Sequence, residues 1–308
     1  MIPSDNMRAA LFMATGMAGF TLNDTCVKLV TAHLPLFETI FLRGLATIVM
    51  LAVLCAVQGH LHFRIPRPDL RVIGWRTFGE IGATICFLTA LMHMPLANIT
   101  AILQSLPLAV TLAAAVFLAE PVGWRRMAAI AVGFAGVMLI VRPGTEGFDR
   151  YSVLALVAVA FVVLRDLSTR RLSPGVSTAM VSLLTALAIT TMGGLVSLAE
   201  GWVMPRPADL ALVVLAGVFI VGGYVFLVAA MRVGEIAMVA PFRYVSLVWA
   251  LVLGWAVFGD FPSSLTLLGA GVVVGTGLFT FYREHALAKA QARERLAATG
   301  GAGRPGAV

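Results

Sequence analysis

Charged side chains stand where the surrounding sequence is almost wholly apolar: Arg43 in TIFLRGLATIV, Glu80 in TFGEIGATICF and Arg243 in VAPFRYVSLVW. An ionisable group at membrane depth is expensive, so each needs a partner or a water-filled cavity. Glu80 suits a proton or cation site, or a counter-charge for a substrate. It also lies one helical turn beyond Arg76, and at i,i+4 the two could neutralise each other; both readings stand. Glu38 and Arg43 are five residues apart, on different faces of a helix. That leaves Arg43 to seek Glu80 or a substrate anion, in a site or gating role. Arg243, between Phe242 and Tyr244, could form a cation and aromatic clamp for a planar or anionic metabolite.

Two further pairs repeat along the chain. Asp24 with Lys28, and Asp166 with Arg170, are i,i+4 pairs near span ends, where long side chains reach the interface cheaply. They read as structural anchors or as a symmetric gating latch. Gln104 and Ser105 before Pro107 interrupt one apolar run, and Pro241 to Tyr244 interrupt another at matching depth. Proline frees a backbone carbonyl, which is tolerated only against protein or a wet cavity. Both breaks are therefore expected to face a shared cavity, the alternative being plain packing kinks. Phe87, Tyr224, Phe226, Trp249 and Trp255 line the same path or pack, His93 is interfacial, and Gly133, Gly136, Gly271 and Gly275 read as close helix contacts.

The elements that must position these groups follow from composition. Of 308 residues 60% are hydrophobic and 12% charged, about half the charge of a soluble domain. Ten stretches of bilayer length are expected to be helices, at about 8–30, 35–57, 70–93, 96–118, 124–142, 151–171, 176–199, 209–231, 236–258 and 264–282. Met1 to Arg8 is too short and polar for a cleaved signal, so the first helix is expected to stay as a span. The net charge of +7 lies mostly in short loops and the tail, which argues for membrane orientation and against nucleic acid. With the N-terminus inside, fourteen lysines and arginines fall on the inner side and four outside. Both termini are thus expected in the cytoplasm of a multi-pass inner-membrane protein.

The segment from Ala97 to Glu120 has a partner from Ala237 to Asp260, each end 140 positions later. Five spans per copy is odd, so the second copy enters the membrane inverted, the plan of many secondary transporters. The expected units are 8–142, 151–282 and a basic tail at 283–308, helix-like at first and disordered at its end. Cys26, Cys55 and Cys86 are isolated, and no phosphate-binding loop, metal cluster or nucleophile and base pair is present in the sequence. No cofactor is implied, and an intramembrane enzyme lacks its constellation. An interacting lipid bilayer, a small-molecule substrate and a coupling ion or proton are the expected partners, for a monomer or a homodimer.

These residues resemble the EamA-type permeases of the drug/metabolite transporter superfamily over about residues 8 to 282. The matching features are the duplicated five-span unit, Asn23-Asp24 with Lys28, Phe37-Glu38 with Phe41 and Arg43, the run ending in Glu120, and Ala240-Pro-Phe-Arg-Tyr244. The resemblance implies an all-α membrane fold, ten helices as two inverted five-helix repeats around a central cavity. It is nearest a bacterial branch that includes S-adenosylmethionine and riboflavin uptake proteins. Alternating access is then expected around a midplane cavity lined by spans three, four, eight and nine. Uptake of a cofactor-like solute is the leading expectation, and export of amino acids, metabolites or drugs on the same scaffold the alternative. Arg43, Glu80, Gln104, Phe242, Arg243 and Tyr244 are the expected substrate-binding or gating residues. The two halves differ where Ser246-Leu247 replaces Leu106-Pro107.

Overall fold

In a lipid bilayer every backbone polar group must bond within its own segment, which leaves apolar stretches of this length no alternative to the helix. The computed structural model describes residues 5–57, 66–119, 122–143, 149–173, 176, 178–233 and 239–301. The helices are α1 (Asp5–Val30), α2 (Leu36–Val57), α3 (Arg67–His93), α4 (Leu96–Leu103), α5 (Leu106–Phe117), α6 (Trp124–Val141), α7 (Arg150–Arg170), α8 (Thr178–Glu200), α9 (Pro207–Val233), α10 (Val245–Phe258) and α11 (Ser264–Gly301). A 3-10 turn, Ala240–Tyr244, precedes α10. Pairing α4 with α5, and the turn with α10, gives ten spans. Glu120, Ala237 and residues 302–308 lie outside the described residues, and α11 carries the tail as helix as far as Gly301.

Eight helical stretches among the described residues are long and apolar enough to cross a membrane. The other two long helices, α1 and α3, carry Asp24 and Lys28, and Arg76 and Glu80. These two are shielded by their neighbours: α1 packs along α9 and α3 along α7, while α2 packs along α8 and α6 along α11. The pattern is its own image under exchange of the two halves. Replacing α1 by α7 and α9 by α3 turns the first contact into the second, and the last two map onto themselves.

Side chains repeat the symmetry at opposite ends of the bundle. Asp69 and Asp209, 140 positions apart, are both buried in the first turns of α3 and α9. Asp69 Oδ1 accepts from the backbone N–H and the hydroxyl of Ser173, each at 3.2 Å, and so holds the segment after α7. Asp209 takes Arg206 at 2.9 and 3.0 Å and lies 3.7 Å from His33 Nδ1, in the segment after α1. His33 and Ser173 are also 140 apart.

Small residues let these helices approach closely. Ala90, Ala101, Ala155 and Ala250 are fully buried, while Val49, Leu198 and Val116 face outward. At the α6 and α11 crossing, a Cβ on Gly136 would meet the Gly269 carbonyl at 2.9 Å. Gly133 is also tightly packed, but Gly271 and Gly275 have open space where a Cβ would point. The close contacts expected of these last two are made by Gly269 and Gly277, because the crossing puts that other face of α11 against its neighbours.

Both expected breaks are present. Between α4 and α5 the Ser105 hydroxyl donates to the Ile102 carbonyl at 2.7 Å, occupying an acceptor near the break. Pro107 then stands in the first turn of α5, where a missing N–H costs least.

Candidate functional site

Among the described residues, all lysines and arginines but four lie between helices, near helix ends or in the tail. The four exceptions, Arg43, Arg76, Arg165 and Arg243, come from α2, α3, α7 and the 3-10 turn and meet in one polar chamber. Arg165 Nη1 lies 3.3 Å from both oxygens of Glu80 on α3, and its guanidinium is 2.8 Å from Asp166 Oδ1. One cation thus serves two carboxylates. Arg76 turns away from Glu80 and donates to Thr169 Oγ1 at 3.1 Å and Thr185 Oγ1 at 2.7 Å. The intrahelical Arg76 and Glu80 bridge is therefore not made, since Arg165 offers Glu80 a cation from the facing helix.

Arg43 Nη1 donates to Asn23 Oδ1 at 3.4 Å, and the charges of Asp24 and Glu80 both act on it. Asn23 in turn donates from Nδ2 to Asp24 Oδ1 at 2.9 Å. Tyr224 on α9 stands edge-on to Phe20 at 5.1 Å, within the fields of Glu80, Arg165, Arg76 and Arg43. The chamber is therefore an unbroken electrostatic chain from Asp24 on α1 across to Asp166 on α7.

Asp166 also borders a cavity of about 400 Å3, lined by Leu106, Pro107 and Thr111 of α5, Arg126 of α6, Thr169 and Arg170 of α7, Arg243, and Thr280 of α11. It sits between the two halves and reaches the end of the bundle where α1 and α6 begin and α7 finishes. Spans four and nine contribute to it as expected. Spans three and eight instead wall the polar chamber beside it, and spans five, six and ten complete the cavity.

Arg243 borders the cavity and is drawn by the charge of Asp166. It makes no cation–π contact with Phe242 or Tyr244 among the described residues. Tyr244 packs its hydroxyl against Gly277 of α11, where any larger residue would collide. Gln104 donates from Nε2 to Ser246 Oγ at 2.7 Å, joining the two breaks directly.

The expected latch pairs are rearranged. Lys28 donates to the Met94 carbonyl and lies 5.1 Å above the Phe258 ring, not on Asp24. Asp166 takes Arg165 of its own helix, and Arg170 borders the cavity. Sequence reasoning gave Arg165 no role of its own. Its signal was positional: it is the repeat counterpart of Asn23, a cation where the first half has an amide. Thr169 and Thr185 carried no signal, because a threonine in a span bonds its own helix backbone as readily as a neighbour; Ser246 stood out only as a difference between the halves.

A model of the EamA-like transporter family matches residues 7–142 and again 151–282. The chain is 29% identical to an S-adenosylmethionine uptake transporter of Rickettsia conorii, over 88% of this chain and 93% of the relative. It is 28% identical to a riboflavin transporter of Rhizobium johnstonii, over 92% and 93%. It is also 26% identical to the pseudopaline exporter CntI of Pseudomonas aeruginosa, over 88% and 95%. One solved crystal structure superposes over 86% of this chain and 97% of its own with a TM-score of 0.57, at 22% identity, a likeness of fold.

Proposed function

The chain belongs to the EamA-like transporter family, a multi-pass membrane transporter of small metabolites, and we propose that it works as a secondary transporter by alternating access across a bacterial inner membrane. The observation that carries this is the cavity of about 400 Å3 between the halves, with an arginine and a carboxylate on its wall at membrane depth. Such a volume falls in the range of small-molecule sites. The two halves rock about the chamber, and the Arg165 bridge and the Gln104 to Ser246 bond hold facing helices together in this conformer. Its cavity reaches the face where α1 begins, and the distribution of basic residues supports a cytoplasmic placing of that face.

Within this reading Arg243 meets the substrate directly, through an anionic or planar group. Arg43, Glu80, Gln104, Phe242 and Tyr244 set the shape and charge around it. Uptake of a cofactor-like solute, riboflavin or S-adenosylmethionine, is the preferred direction and substrate class, supported by the names of two relatives. The second reading, export of a metabolite, is supported by the relative named as an exporter. The units 8–142 and 151–282 are the moving bodies.

Purified protein screened by thermal shift against riboflavin, S-adenosylmethionine, amino acids and drugs identifies the class. Uptake predicts rescue of an auxotroph at low vitamin supply. Resistance to a drug on overexpression, without rescue, supports export. Turnover of a lipid-soluble substrate by liposomes that move no solute would overturn both.

A further inference from the structure

We propose that Asp24 is the group that binds and releases a proton during the transport cycle, an inference that rests on the transporter reading above. Asp24 and Asp166 are repeat counterparts, 142 positions apart. Asp166 is preceded by Arg165, whose guanidinium holds it at 2.8 Å and reaches Glu80 at 3.3 Å. Asp24 is preceded by Asn23, whose amide offers a hydrogen bond at 2.9 Å but no charge.

The groups facing Asp24 are few. From α2, Arg43 directs Nη1 at Asn23 Oδ1, so its charge acts on Asp24 without a direct bond. From α9 comes Tyr224, and from α3 come Glu80 and Arg76, engaged with Arg165 and with two threonines. From the 3-10 turn, Arg243 is drawn by Asp166. On α1 itself Lys28 is bound to the Met94 carbonyl. Of the chamber's three carboxylates, Asp24 alone among the described residues has no cationic nitrogen within 4.0 Å.

Protonating Glu80 or Asp166 would strand Arg165 without its full counter-charge. Protonating Asp24 breaks no direct contact with a cationic nitrogen and leaves Glu80 acting on Arg43, and Asn23 can bond the neutral acid as well as the carboxylate. A lone carboxylate at this depth is also the group that gains most from a proton when a rocking chamber shuts out water. Glu80, which the sequence leaves as a proton or cation site or as a partner for Arg76, is held instead by Arg165. The repeat has thus bridged one aspartate to an arginine and given its twin only an amide.

Infrared pH-difference spectra of the purified full-length protein test this without any transported solute. A titrating protonated-carboxyl band is expected in the wild type, lost in Asp24→Asn and retained in Asp166→Asn. Asn23→Arg, which copies the second repeat, is expected to remove the same band in a protein whose thermal unfolding remains cooperative. Persistence of the band in Asp24→Asn, or its absence from the wild type, overturns the proton role. Failure there leaves transport itself to be judged separately by solute uptake.

Discussion

The side-chain amide of Gln104 donates to the hydroxyl of Ser246 at 2.7 Å, bonding the broken helix of one half to the broken helix of the other. The Ser246 hydroxyl in turn donates a hydrogen bond to the backbone carbonyl of Arg243 at 2.9 Å. A three-part relay thus runs from the first break to the residue that borders the cavity. Helix interruptions at membrane depth need partners; each break here caps a carbonyl with its own serine, and one side-chain bond ties the two together.

Removing Gln104 by Gln104→Leu should lower thermal stability by about 1 kcal/mol, the net worth of a neutral intramolecular hydrogen bond. A double-mutant cycle with Ser246→Ala in detergent should recover a coupling of that size. Additive effects would show that the breaks do not support one another.

Arg165→Ala leaves Glu80 and Asp166 without the cation they share. Breaking a buried pair by removing one partner costs about 3–5 kcal/mol, so a lower unfolding midpoint and reduced insertion are expected. Arg165→Lys should recover only part of this, since an ammonium lacks the planar fork that reaches Glu80 and Asp166 at once. Full recovery by lysine, measured as unfolding midpoint, would remove the case for a two-carboxylate bridge.

Arg243→Ala should abolish transport while leaving insertion intact. The residue borders the cavity, and its charge interactions are with Asp166, Tyr244 and Arg165. Uptake into vesicles, normalised to membrane-inserted protein, reads this directly. Wild-type uptake in the variant would separate Arg243 from the substrate path.

Gly136→Ala presses a methyl on the backbone oxygen of Gly269 at 2.9 Å, which cannot yield without parting α6 from α11. Overpacking of this kind costs about 1–3 kcal/mol. Gly271→Ala, with nothing within 4 Å, should leave the unfolding midpoint unchanged. Equal effects of the two would mean that the crossing is looser than its geometry.

The sequence by itself determined the helices, their number and the doubling of the five-span unit, since apolar length and a 140-residue offset need no knowledge of contacts. It also located the breaks, because proline acts on its own backbone wherever the fold puts it. It could not determine who pairs with whom among the inward charges. Arg76 is one turn from Glu80 on the same helix, yet Arg165, 85 positions away in sequence, takes the carboxylate. Spacing along a helix reports which side chains can meet on that helix. Only the packing of α3 along α7, and of α1 along α9, decided that one repeat's aspartate has an arginine and the other's an amide. An ion pair depends on distances across an interface, and no single strand of sequence contains them.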